Sequence, residues 1–234
     1  MYNIMQYRRK GNELKRYANG IITRERIIET CRMLFYENGF RAATFDLICR
    51  TAEVNPGTVA HHFTNKLNIA SLIYQEMIDS LNDSVKELFA EEDQLQQVMT
   101  SLCLHIRILF SDSAYRRFSA EYLCEKAYCM EKESTDSQLP LSRNAVSVMH
   151  ERMDIRKIRL YSAAYSGIGG NIETFIDRHI DEYTFEESAR CYFEFHYLFL
   201  EDSELEKRIN RAFFLNSLLD AASDKFKISV RLKK

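Results

Sequence analysis

The chain reads as an all-α protein, with a small N-terminal three-helix unit carrying a helix-turn-helix and a larger helical domain behind it. Three observations predict this. Only 7 glycines and 2 prolines occur among 234 residues, well under ordinary usage. Apolar side chains recur at helical spacing along most of the length, beginning with Ile27, Ile28, Cys31, Leu34 and Phe35. No convincing alternating run bounded by turn residues appears, so strands are not expected.

The elements follow in order. Residues 23–38 predict a helix with Thr23 at its N-cap and Asn38-Gly39 as its stop. Thr44 opens a second helix over 44–52, with Phe45, Ile48 and Ala52 facing inward and Asp46 in the first turn, where the helix dipole favours an anion. Glu53-Val54 makes a short turn. Asn55 then suits an N-cap and Pro56 the first helical position, where a missing N–H is harmless, so this Pro-Gly pair opens a helix rather than a loop. That helix runs to about His62, with Val59 and Phe63 inward. Asn65 caps a fourth helix that begins at Lys66 and reaches about Phe89.

Beyond it, helical periodicity covers 93–111, 114–132, 143–153, 155–180, 185–200 and 203–222, with 134–142 as the best loop. Gly167, Gly169 and Gly170 in the fourth of these predict close packing or a kink. The basic tail after 222 is expected to fray.

Composition excludes several classes. No apolar run of about 18 residues is present to span a membrane, and the N-terminus lacks the apolar stretch of a secretory signal. Cysteines 31, 49, 103, 124, 129 and 191 show no C-x-x-C spacing, so they read as free thiols of a reducing cytoplasm. There is no Ser-His-Asp order, no credible carboxylate pair and no phosphate loop, so no catalytic residue is assigned and the chain is not expected to be an enzyme. His61 and His62 lie about 100° apart on a helix and cannot readily chelate one metal; neither a metal nor a cofactor is expected.

The net charge of −2 hides an asymmetry. Residues 1–70 carry 11 Lys/Arg against 6 Asp/Glu, and the remainder 21 against 28. A basic end on an acidic body points to an anionic partner for that end. Two short helices joined by a tight turn are the geometry that places a second helix in the DNA major groove. The candidate contacts are Thr44, Asn55, Pro56, Gly57, Thr58, Ala60, His61, His62 and Lys66. Free N–H groups and the positive dipole end at Asn55–Thr58 suit phosphate, Gly57 and Thr58 permit close approach, His61 sits one turn beyond Thr58, and Lys66 supplies a cation to the flanking backbone. Residues 1–20, with Arg8, Arg9, Lys10, Lys15 and Arg16, form a basic arm that either reaches the minor groove or backbone or hangs free without a role.

Residues 23–70 resemble the DNA-binding domain of the TetR family of transcriptional regulators. The pattern Phe35, Gly39, Phe40, then Thr44, Ile48 and Ala52, then Val54, Gly57, Thr58, Val59, His62 and Phe63, closing on Lys66, follows the family's order and spacing without a gap. Two positions depart: the family often has glycine at Glu53, where a left-handed conformation would strain a glutamate, and usually tyrosine at Ala60.

The resemblance implies a homodimer on a palindromic operator, with residues 21–70 reading DNA. It implies that 71–234 binds an effector between the middle helices and pairs through the last ones, and that operator binding by a repressor is relieved by a small molecule. Met99, Cys103, Arg107, Phe118, Tyr122, Met149, Tyr161 and Tyr165 are the candidate pocket residues for an apolar or aromatic effector. The same side chains would equally serve an ordinary helical core. A DNA-bound adaptor answering to a protein partner, with no pocket, is the competing expectation.

Overall fold

The computed structural model describes residues 2–130, 172–197 and 204–234, with side chains for 18–126, 172–194 and 204–234. The expected loop at 134–142, the helix at 143–153, most of 155–180 with its glycines, and the candidates Met149, Tyr161 and Tyr165 lie outside the described residues.

Helix α1 runs Tyr2–Ala42, broken only at Gly39 (φ 85°, ψ 166°). The stop expected at Asn38-Gly39 is therefore a sharp bend, while the N-terminal end continues helical through the basic arm and past the 20/21 boundary. Helices α2 (Phe45–Thr51), α3 (Pro56–His62) and α4 (Lys66–Leu88) each start on a side-chain cap. Thr44 Oγ1 accepts from Leu47 N at 3.2 Å, Asn55 Oδ1 from Thr58 N at 2.8 Å and Asn65 Oδ1 from Asn68 N at 2.9 Å. These caps satisfy amides that have no partner inside their helix.

Helices α5 (Gln94–Ser111) and α6 (Ser113–Met130) complete the first half. The segment 172–178 is helical, followed by α7 (Phe185–Tyr197) and α8 (Leu205–Ser217). Among the described residues no helix is long and apolar enough to cross a membrane.

The described residues are mostly helical, but the C-terminal tail neither frays nor continues the helix expected to 222. It folds into an antiparallel hairpin, β1 (Leu219–Asp224) with β2 (Lys227–Leu232). Lys225 and Phe226 make its two-residue turn, both at positive φ (46° and 65°), the conformation whose twist matches a hairpin. Neither residue favours that region, which is why the sequence shows no turn signal. Burial offsets the strain: the Phe226 ring is 2% exposed and sits 4.6 Å from Phe118, 5.2 Å from Tyr36 and 6.2 Å from Tyr115, centroid to centroid. The outer face carries the ion pair Asp220–Arg231 at 2.9 Å.

Two apolar clusters hold the molecule. The first joins α1–α4 to α6 and the hairpin through Phe35, Phe40, Ile48, Val59, Phe63, Ile73, Phe118 and Phe226. The second packs α5 against α7 and α8 through Met99, Cys103, Ile106, Phe193 and Ile209. Burial pushes the Cys31 and Cys103 thiols up to about 12, so both behave as packing groups rather than nucleophiles.

Candidate nucleic-acid interface

Val59 is fully buried against the first cluster and fixes the roll of α3. With that face committed, Pro56, Gly57, Ala60 and His61 are exposed, and Thr58 and His62 are half-buried at the margin. Thr58 is tied down twice: its amide and its hydroxyl both donate to Asn55 Oδ1, the latter at 3.0 Å. The start of α3 is thus rigid before it meets anything. Thr44 is exposed at the head of α2, its hydroxyl oxygen serving as the N-cap.

The turn between α2 and α3 carries Glu53 in the left-handed region, φ 53°, so the chain keeps the conformation that the glutamate strains. A left-handed residue with a Cβ costs about 1–2 kcal/mol, part of which glycine would return as unfolded-state entropy. Glu53→Gly is expected to stabilise the protein by about 0.5–1 kcal/mol, raising Tm by about 2–4 °C in thermal unfolding. An unchanged or lower Tm would mean that the Glu53 side chain contributes more than its backbone strain.

His62 has its pKa lowered by burial first, then by His61 and by the Arg24 guanidinium. Arg24, on α1, stacks over the Phe63 ring at 5.3 Å from its centroid. The end of α3 is therefore in contact with α1 at the point where the N-terminal extension begins, a neighbour that sequence reasoning missed because 39 residues separate the two.

Lys66 is placed differently from the free cation expected. Its ammonium donates to Phe40 O at 2.7 Å and lies 4.2 Å from the Phe40 ring centroid. Burial lowers its pKa, opposed by Glu125 and Glu121. A charge directed at a carbonyl of the α1–α2 bend ties the start of α4 to that bend.

That bend is gripped a second time from α6. Arg117 Nη2 donates to Tyr36 O and Glu37 O at 2.8 and 2.9 Å, satisfying carbonyls left open where α1 breaks. Glu121 accepts from Arg41 N at 2.7 Å. The sequence does not announce these contacts, since each joins residues about 80 positions apart.

Among the described residues the pocket candidates fall in two separate clusters. Met99 and Cys103 are fully buried in the second cluster, Phe118 and Tyr122 in the first. Tyr122 donates to Ser71 Oγ at 3.0 Å. The Arg107 guanidinium donates to Asn216 O at 2.7 Å and Leu219 O at 3.0 Å, closing the end of α8 and the start of the hairpin.

What α5 and α6 do bury is a polar cluster. His105 Nδ1 lies 2.7 Å from Tyr115 Oη and its Nε2 lies 3.0 Å from Glu173 Oε1, while Ser119 and Tyr74 donate to the same carboxylate. Burial, then the charges of Glu173 and Asp112, push the Tyr115 hydroxyl well above its ordinary pKa, so it remains a donor.

The stretch that forms the capped helices α2 and α3 and their turn is matched by sequence among known proteins. Residues 27–71 match the family model described as bacterial regulatory proteins, tetR family. Over these residues the chain is similar to the DNA-binding domain of the TetR family. UidR of Escherichia coli K12, an HTH-type transcriptional regulator, is 46% identical over 44 residues, 19% of this chain and 22% of UidR. The TetC protein of transposon Tn10 from Escherichia coli is 34% identical over 56 residues, 24% of this chain and 28% of TetC. The sequence match thus spans about a quarter of these TetR-family relatives' own length. Two solved structures align over more of the chain. Salmonella enterica GusR aligns over 83% of this chain and 92% of its own, at 19% identity and a TM-score of 0.33. The fatty acid degradation regulator FadR of Bacillus halodurans aligns over 77% and 96%, at 16% identity and a TM-score of 0.39.

Proposed function

We propose that the protein is a sequence-specific DNA-binding transcriptional regulator, a repressor whose hold on its operator is relieved by a small-molecule effector. The observation that carries the reading is α3: a helix fixed in roll by Val59, rigidified by the Asn55–Thr58 cap, and exposed along Pro56, Gly57, Ala60 and His61. In this reading residues 21–70 bind DNA, and 71–234 bind the effector and pair two copies. The two recognition helices then stand about 34–36 Å apart, the spacing of palindromic half-sites. The effector acts by its differential affinity for dimers with right and wrong spacing. The medium is the cytoplasm, and no catalytic step is assigned.

His61→Ala and Thr58→Ala are expected to weaken specific binding by roughly 1–3 kcal/mol each and to relax base preference at one position per half-site. The measurement is titration of a duplex selected from randomised DNA against each variant. Unaltered affinity and unaltered preference in both would remove α3 from the groove.

One observation favours a second reading, a DNA-bound adaptor controlled by a protein partner. The described pocket candidates are divided between two packed clusters rather than gathered around one space. A thermal-shift screen separates the two: a small molecule that raises Tm and releases the selected duplex supports the sensor, and a protein that releases the duplex where small molecules do not supports the adaptor.

A further inference from the structure

The basic arm is neither a loose tail nor an extended strand, because α1 is continuous from Tyr2 to the break at Gly39. Residues 2–20 form a rod about 28 Å long. Its root is placed by Arg24, whose guanidinium lies 5.3 Å from the ring centroid of Phe63 at the C-cap of α3. The rod therefore leaves the domain next to the recognition helix. It carries Arg8, Arg9, Lys10, Lys15 and Arg16 against the single acid Glu13. At 100° per residue, positions 8, 9, 15 and 16 fall within an arc of roughly 120°. An adjoining arc of roughly 100° holds Ile4, Tyr7, Gly11, Leu14, Ala18 and Ile21.

Resting on the assignment of 27–71 as a DNA-binding domain, we propose that residues 2–20 are a second DNA-binding element, a helical rod laid along the phosphate backbone that flanks the bases read by α3. The dimensions select that course. An α-helix with its side chains is about 10–12 Å across, too wide for a minor groove of about 6 Å, so the minor-groove route open to an extended arm is closed to a helical one. Phosphates also supply what the rod lacks. A helix of this length is marginal alone in water, and clustered cations repel one another until counter-charges separate them. The apolar arc is a weaker claimant for a partner: glycine and alanine occupy two of its six positions, which leaves little to bury in a paired coil.

The test keeps the chain whole. Arg8, Arg9, Lys10, Lys15 and Arg16 are all changed to Gln, which has nearly the same helix propensity. Binding of a labelled 40-base-pair duplex, carrying the site recovered by selection from random DNA, is followed by anisotropy from 50 to 300 mM KCl. For parent protein the slope of log K against log salt is expected to be steeper by about 0.9 for each phosphate contact the variant has lost, hence by about 2.7 for three. Trimming the duplex to its core should weaken parent binding at least tenfold and leave the variant nearly unchanged. Equal slopes, with the variant melting at the parent temperature, overturn the proposal while leaving the α3 reading intact. Parent protein that binds no duplex with preference overturns both. If slopes are equal but Leu14→Asp dissociates the dimer, the rod pairs copies of the chain and the proposal also fails.

Discussion

Replacing Glu173 by alanine is expected to lower the unfolding free energy by roughly 3–5 kcal/mol, because it removes the acceptor that several buried groups share, at about 1–3 kcal/mol for each group left unmatched. A change of that size should drop Tm by about 10 °C or more. The side chain is 3% exposed and accepts from three elements at once: His105 of α5, Ser119 of α6 and Tyr74 of α4. Alanine would leave the imidazole and the Ser119 hydroxyl without their acceptor in a site water does not reach, and each unmatched group costs about 1–3 kcal/mol. Glu173→Gln separates hydrogen bonding from charge. Its carbonyl can still accept from His105, and the Ser119 hydroxyl can turn to accept from the amide, so less than half of the loss is expected. The measurement is chemical unfolding of the three proteins side by side. A Glu173→Ala variant within 1 kcal/mol of the parent would show that the cluster relaxes into other pairings and does not tie segment 172–178 to the body.

Local rules made the reading domain legible. Thr44, Asn55 and Asn65 each bond an amide three residues on, so the sequence itself contains both partners and the start of each helix follows from it. The face of α3 was legible for the same reason, since one buried valine and a proline at the first position determine which residues remain outside. The left-handed turn at Glu53 is different: only the family's usual glycine hinted at it, and a glutamate there argued for an altered turn, yet the conformation is kept.

Contacts whose energy comes from far along the chain were not legible. The Lys225-Phe226 turn has none of the residues that favour positive φ; it exists because Tyr36, Tyr115 and Phe118 bury one ring. Arg107 and Lys66 carry charges that the sequence offers to a ligand and to DNA, and the fold spends them on backbone carbonyls instead. Met99 and Cys103 share helical spacing with a pocket wall, yet that spacing describes a core equally well, and they lie in a different cluster from Phe118 and Tyr122. His105 and Glu173, 68 residues apart, carry no motif that would pair them.

The bend at Gly39 shows how such distant contacts bear on DNA reading. Gly39 adopts φ 85°, ψ 166°, a region essentially closed to residues with a Cβ and costing them of order 1–3 kcal/mol. A Cβ there would also lie 2.9 Å from Glu121 Oε2 and 3.1 Å from Arg117 Nε, the two side chains that hold the bend to α6. Gly39→Ala must therefore strain the backbone and displace Glu121 from the Arg41 amide, a charge-assisted bond worth roughly 1.5–3 kcal/mol. The expected loss is about 3–5 kcal/mol, seen as a fall in Tm of about 10 °C. Glu121→Ala removes the bond without the strain and should lose about half as much. The two variants also report on function. Thr44, which starts the helix-turn-helix, is five residues from Gly39, and its amide bonds to Ala42 O at 2.8 Å, so an altered bend tilts α2 and α3 together. Weaker binding of a selected duplex by both variants, at a temperature where both remain folded, would mean that α6 sets the attitude of the recognition helix. If Glu121→Ala binds DNA like the parent while Gly39→Ala does not, the bend itself sets that attitude and α6 merely rests against it.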